Sequence, residues 1–295
     1  MTPLVLALIL VGAVAHATWN LVVKAAGAPS GIRFLWMIAV PGIVLVAPIA
    51  IWQLETLPPG VTVEWWLPVL SGAVSTVVHT IYFLSLQHGY RVGDVGLVYP
   101  LARGTGPLLA VLGAVLLLGE TPSWLALLGA GLVVAGVFII GFAGGLAGAS
   151  RARAGIIWGF AIGVSIAAYT LWDAYAVTGL GVPAAVHMLA ISIGQSIALA
   201  PLALRDRTAL VREVRRYWRP ALAVVVLSPL SYLAILFAFE LAPDATAVSI
   251  IAPGREVSVV LVGIAGWLLF REPHPVQRLI GCVVVIGGVV LLALG

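Results

Sequence analysis

Apolar residues run along this chain in blocks of about twenty, the length that crosses a bilayer. Between the blocks stand short runs of Gly, Pro and charged residues, which punctuate helices rather than continue them. Read this way, the pattern predicts ten helices, at about 3–24, 32–52, 64–88, 94–118, 123–143, 154–177, 183–204, 218–240, 245–270 and 274–294. The connectors are short. The most polar of them, 205–219, holds six arginines.

Composition excludes the soluble alternatives. Of 295 residues, 62% are hydrophobic and only 9% charged, too little charge to cover a soluble surface of this size. The formal net charge of +4 does not point to nucleic acid, because the arginines sit in short connectors, as orientation signals of a membrane protein do. One cysteine, Cys282, allows no disulfide within one chain and no cysteine-based metal site, so it reads as a small hydrophobe. Ala15-His16-Ala17 follows an apolar stretch as a signal-peptidase site would, but no basic side chain precedes it, and the first block is read as an uncleaved span.

The second half repeats the first at an offset of 152. Arg103 falls on Arg255, Glu120 on Glu272, Gly129 on Gly281 and Gly136 on Gly288, and "RGTGPLLAVLGAVLLLGE" lies over "REVSVVLVGIAGWLLFRE" without a gap. With one residue of slip, Trp19-Asn20 matches Trp172-Asp173. The expected organisation is a five-helix repeat over 1–143, a linker over 144–153 and a second repeat over 154–295. Five is odd, so the second copy enters the membrane upside down. Inverted repeats around a midplane site are a recurring transporter architecture.

Lys24, Arg33, Arg91, Arg151, Arg153, the 205–219 cluster, Arg271 and Arg278 all follow odd-numbered helices, while the other connectors carry no Lys or Arg. The positive-inside rule then places both termini outside the cell membrane.

Polar residues deep in apolar blocks are the candidate chemistry. In "VYPLARGTGPLL", Arg103 lies near mid-membrane, where an arginine costs about 2.5–3.5 kcal/mol on insertion scales. Pro100 and Pro107 each remove a backbone donor, so helix 4 is expected to be broken and to face a cavity. Tyr99, one turn earlier, shares the face of Arg103. In the second copy Pro253-Gly254 precede Arg255, and Glu256 follows. Neighbouring residues diverge by ~100° on a helix, so Glu256 either faces Arg103 or another partner, or locks the two halves as a structural ion pair.

His16, Asn20 and Lys24 stand at i, i+4, i+8 on helix 1, with Trp19 beside them, and predict one polar stripe. Lys24, at the helix end, lines that stripe or snorkels to the interface. On helix 6, Tyr169, Trp172 and Asp173 share a face, with Asp173 a natural partner for either arginine or a proton carrier. Helix 3 offers His79, Tyr82 and Gln87, and helix 8 offers Ser231, Tyr232 and Glu240. His187 and Gln195 stand alone on helix 7 and read as packing or hydrogen-bonding residues. No HExxH, nucleotide-binding lysine loop or nucleophile elbow is present, so the sequence offers no enzyme, metal or cofactor chemistry.

"HATWNLVVK" at 16–24, "YRVGDVGLVYPLARG" at 90–104, "LLLGE" at 116–120 and "FREPH" at 270–274 resemble the EamA-type family of the drug/metabolite transporter superfamily. The resemblance spans essentially the whole chain. It implies ten helices around a central cavity and transport of small, amino-acid-like or drug-like metabolites. Two features depart from the family's pattern: the termini are uncharged, and the second copy has Pro-Gly-Arg-Glu where the first has Pro-Leu-Ala-Arg.

The expected function is alternating-access transport of a small polar or anionic metabolite across the cell membrane. Arg103 and Arg255 would attract the anion, and Trp19, Tyr99, Tyr169 and Trp172 would hold the organic body. Tyr82 and Tyr232 would line the same chamber, and Asp173, Glu256 or His16 would carry coupled protons. The other class is a non-transporting membrane protein, such as a flippase subunit or an interaction scaffold.

Overall fold

The computed structural model describes residues 2–28, 31–142, 149–242, 247–270 and 274–295, all of them helix, turn or short connector. Arg271 and Glu272, and residues 144–148 of the expected linker, lie outside the described residues. Helices α1 (Pro3–Ala26), α2 (Ile32–Glu55), α3 (Trp66–Val92), α4 (Val95–Leu117) and α5 (Trp124–Gly141) make up the first half. The second half holds α6 (Ala149–Thr178), α7 (Ala184–Ala203), α8 (Arg207–Glu240), α9 (Ala247–Gly254), α10 (Val257–Phe270) and α11 (Pro275–Leu294).

Local chemistry sets the helix ends. Thr2 caps α1, its hydroxyl oxygen accepting from Val5 N at 3.3 Å, and Pro3 occupies the first helical position. Gly27 closes the helix in the left-handed region (φ 56°), its N–H reaching back to Lys24 O and Val23 O. Ser123 caps α5 and Asp206 caps α8 in the same manner as Thr2.

Among the described residues, nine helical stretches are long and apolar enough to cross a membrane. One of them, Ala184–Glu240, has 57 residues, about 85 Å at ~1.5 Å per residue, far beyond a ~30 Å hydrocarbon core. It divides at a 3-10 turn, Leu204–Asp206, into α7 and α8. α8 is itself too long for one crossing. Non-helical angles at Tyr217 (φ −117°, ψ 15°), followed by Pro220, split it into an arginine-rich lead over 207–217 and an apolar remainder.

The surface is the inverse of a soluble protein's. Val44, Leu116, Leu117, Ile197 and Leu269 are more than two-thirds exposed, whereas Asp173, His187 and Glu256 are buried to 1% exposure or less. Such an apolar exterior suits lipid, and charges that shun lipid gather inside.

The two proline sites behave in opposite ways. α4 was expected to break, yet it runs through Pro100 and Pro107 without interruption. Its weakened ladder is covered by neighbouring helices. Pro100 packs on Gly141 of α5, and Ile166 of α6 lies against Gly106. The break occurs in the second copy, between α9 and α10. There Glu256 N bonds Pro253 O (3.0 Å) and Val259 N bonds Glu256 O (2.8 Å), so the ladder tightens to i→i−3 at Arg255 and Glu256.

Helix partners follow an exchange pattern between halves. α2 packs on α7, α4 on α9 and α5 on α11, each on its sequence counterpart. Other contacts come in swapped pairs: α1 with α8 and α3 with α6, α4 with α6 and α1 with α10. α5 and α11 show the geometry most clearly. A Cβ at Gly129 would lie 2.7 Å from Gly288 O, and one at Gly136 would lie 2.8 Å from Gly281 O. As position rises on one helix it falls on the other, so these counterparts run antiparallel. Glycine permits a backbone approach that any side chain would prevent, and such close packing is what joins helices where lipid supplies no hydrophobic drive.

Candidate functional site

The site is assembled around one carboxylate. Glu256 lies in the turn between α9 and α10, 1% exposed, with Oε1 3.2 Å from Arg103 Nη1 of α4 and 3.7 Å from Arg255 Nε. The expectation that Arg255 and Glu256 diverge assumed a continuous helix. At the shortened ladder Arg255 Nε and Arg103 Nη1 nonetheless both lie within 4 Å of Glu256 Oε1. Two guanidiniums therefore share one carboxylate, leaving one net positive charge.

Each arginine is also held by residues of its own half, an aromatic face among them. Arg103 Nη2 meets His16 Nε2 of α1 at 2.7 Å, and its guanidinium lies 5.9 Å from the Tyr99 ring. Arg255 Nη2 donates to Tyr169 Oη of α6 at 3.1 Å and lies 5.7 Å from that ring. Cation–π contacts of this kind hold a guanidinium without neutralising it. The side chains of Arg103 and Arg255 keep 15% and 12% exposure, so the pair is not sealed. Trp19 Nε1, Arg255 Nε and Glu256 Oε2 are buried with no hydrogen-bond partner among the described residues. Thr76 Oγ1 and Thr170 Oγ1 are likewise unmet, and in a low-dielectric interior such open valences are costly.

A ladder of rings leads from this pair to a second polar centre. Tyr169 stacks on His79 of α3 at 4.3 Å and meets Tyr82 edge-on at 5.5 Å. His79 in turn meets Tyr232 of α8 edge-on at 5.6 Å. The Tyr232 hydroxyl donates to Asp173 Oδ2, and Asp173 Oδ1 lies 3.1 Å from His187 Nε2. The other ring nitrogen of His187 bonds Ser71 Oγ at 3.0 Å. Asp173 therefore pairs with neither arginine. It ties α6 to α7 and α8, with both Asp173 and His187 fully buried.

The remaining sequence candidates are placed less centrally. Trp19 stands edge-on to His16 at 5.1 Å and packs against the Phe34, Ala221 and Val224 cluster. Asn20 donates to His16 O of its own helix at 2.7 Å. Lys24 is exposed at the end of α1. Trp172 donates to Ser71 O at 2.9 Å and lies beside Tyr175, away from the arginines.

His187 was read as isolated because nothing near it in sequence is polar. Its partners lie 14 and 116 positions away, on α6 and α3. Glu120 was read only as a repeat marker. Its carboxylate is buried and accepts from Val248 N (2.8 Å), Ser249 N (2.9 Å) and Ser249 Oγ, capping α9 across the halves. Gln53 and Glu240 do the same for α7: Ala185 N donates to Gln53 Oε1 at 2.8 Å and Ala184 N to Glu240 Oε2 at 3.3 Å. Among the described residues no group of His, Cys, Asp or Glu is placed to hold a metal ion.

An all-helical chain with apolar flanks and an unsealed charged centre belongs to the integral membrane class. The chain matches the EamA-like transporter family over residues 3–142 and again over 153–294, and it belongs to that family. It is accordingly a multi-pass membrane protein of a transporter family, in keeping with the drug/metabolite transporter resemblance of its motifs. A solved structure described only as "Crystal structure of protein" is 16% identical, with a TM-score of 0.73, and the match covers 98% of this chain and 96% of that one. That likeness shows a shared fold. Comparison with curated proteins finds no match.

Proposed function

We propose that the chain is a ten-span secondary transporter that carries a small anionic or zwitterionic metabolite by alternating access. In this reading two inverted five-helix repeats, divided near 144–153, rock about the Arg103–Glu256–Arg255 cluster. The antiparallel packing of α5 on α11 and the exchanged helix partners support the inversion. The basic residues after the first, third, fifth, seventh and ninth of the ten predicted spans support an orientation with both termini outside the cell membrane.

The observation that carries the substrate class is the sharing of one carboxylate by two arginines. The cluster's surplus of one positive charge is balanced by a single substrate carboxylate, and Arg255 Nε, which stands 3.7 Å from Glu256 Oε1 without a hydrogen bond, supplies a donor for it. The open Oε2 of Glu256 supplies an acceptor for a substrate ammonium. A simple organic monoacid cancels the surplus and leaves Oε2 unmet, whereas an amino-acid-like zwitterion finds a partner for each of its charged ends but leaves the surplus in place. The Tyr99 and Tyr169 rings offer surface for the organic body. Protons, if coupled, would be carried by His16, Glu256 or Asp173.

The test is thermal stabilisation of the purified protein by a panel of amino acids and organic monoacids, followed by uptake into proteoliposomes. A stabilising monocarboxylate is expected, with Arg103→Gln abolishing both stabilisation and uptake while the protein remains folded. Normal transport by Arg103→Gln would overturn the assignment.

A further inference from the structure

The arginine-rich lead of α8 has no part in that site. Instead of the polar connector expected over 205–219, it forms helix from Arg207 onward, turning at Tyr217 into the apolar remainder of α8. Arg207 with Thr208, Val211 with Arg212, and Arg215 with Arg216 recur every four residues and lie along one open face of the helix. All four of these arginines are exposed.

This face repels itself. Within the lead, Arg212 and Arg216 (i, i+4) and Arg212 and Arg215 (i, i+3) are neighbours of like charge, which weaken a helix. Both acids nearby are already engaged: Glu213 Oε1 holds Arg33 Nε of α2 at 2.6 Å, and Asp206 caps Ala209 N at 2.8 Å. No carboxylate forms an ion pair with Arg207, Arg212, Arg215 or Arg216 among the described residues. The guanidinium of Arg216 lies 5.2 Å from the Tyr217 ring and that of Arg219 lies 5.3 Å from the Trp218 ring, which orients them without neutralising them.

Apolar groups are interleaved with the charge. Val211, Val214 and Trp218 are 49%, 38% and 52% exposed on the same short segment. Exposed valines beside arginines, at the mouth of a membrane span, suit a ligand with a phosphate at one end and acyl chains at the other. Orientation by positive charge alone needs only a count of arginines. It requires neither a helix nor a four-residue stripe.

We propose that this face binds the headgroup of an anionic phospholipid, with Arg207, Arg212, Arg215 and Arg216 on the phosphate and Val211, Val214 and Trp218 against the acyl chains. The bound lipid relieves the like-charge pairs and fixes the lead against the bilayer. The inference is independent of the transported substrate.

The test titrates the full chain, in neutral detergent, with dihexanoyl phosphatidylglycerol, dihexanoyl phosphatidylcholine and glycerol 3-phosphate, following binding by native mass spectrometry. Phosphatidylglycerol is expected to bind well above the other two. R212Q/R216Q is expected to weaken it about thirtyfold, from ~1 kcal/mol per arginine near an anionic surface. R212K/R216K should stay within about threefold of the unaltered chain, since the surface term follows charge. Should R212Q/R216Q fail to fold, R207Q/R215Q makes the same cut. Equal binding of phosphatidylcholine, or undiminished phosphatidylglycerol binding by the folded glutamine variant, overturns the proposal. So does glycerol 3-phosphate binding as tightly as the lipid, which would make this a site for free anions.

Discussion

Neutralising Glu256 isolates the electrostatics of the arginine pair. At 3.2 and 3.7 Å, and an effective dielectric constant of about 20, its carboxylate attracts the two guanidiniums by about 5 and 4.5 kcal/mol. Desolvation of three charges offsets much of this, and the 15% and 12% exposure of the arginine side chains screens part of the remainder. Glu256→Gln keeps an amide oxygen for one hydrogen bond but leaves two cations facing each other. Removing one member of a buried pair costs about 3–5 kcal/mol, and the partial exposure places this variant near the lower end. The assay is reversible unfolding in mixed micelles by added dodecyl sulfate. It compares Glu256→Gln, Arg103→Gln and the double variant with the unaltered chain. The double variant should lose less than the sum of the singles, because removing Arg103 takes away one of the stranded cations. Glu256→Gln within about 0.5 kcal/mol of the unaltered chain, with strict additivity in the double, would refute the shared-carboxylate account.

Other perturbations test the frame around the site. Gly129→Ala should destabilise by about 1–3 kcal/mol or more, because its Cβ meets Gly288 O at 2.7 Å and Leu292 N at 2.8 Å. Gly131→Ala, two residues on with nothing within 4 Å, should be neutral or stabilising by up to about 1 kcal/mol, and the same unfolding assay separates the two. Glu120→Ala leaves the α9 N–H groups of Val248 and Ser249 without their acceptor and should cost about 2–4 kcal/mol, read as a lower melting temperature. Asp173→Asn removes the charge from the hydrogen bonds to Tyr232 and His187 and should cost about 1.5–3 kcal/mol. Arg33→Gln, which breaks a half-exposed ion pair with Glu213, should change stability by less than about 1 kcal/mol.

Sequence alone determined the membrane class, the approximate spans and the two arginines at equivalent places in the two family repeats. It could do so because a bilayer imposes length and polarity locally: each apolar block either spans or does not, and an arginine inside one requires an explanation wherever its partners lie. Tyr99 beside Arg103 was equally legible, being one helical turn away. What only the tertiary structure decided is where chains from different helices meet. Asp173 joins His187 and Tyr232 rather than an arginine, and no spacing rule links residues on three helices. Proline content did not reveal which helix breaks: α4 runs through two prolines under cover of Gly141 and Ile166, while α9 stops at Pro253-Gly254, where the ladder shortens. The 205–219 arginines read as a connector because charge suggests solvent, yet Asp206 caps them into a helix. Local polarity records the solvent a residue tolerates. The choice of partner belongs to packing, which the two halves settle only once they are folded against each other.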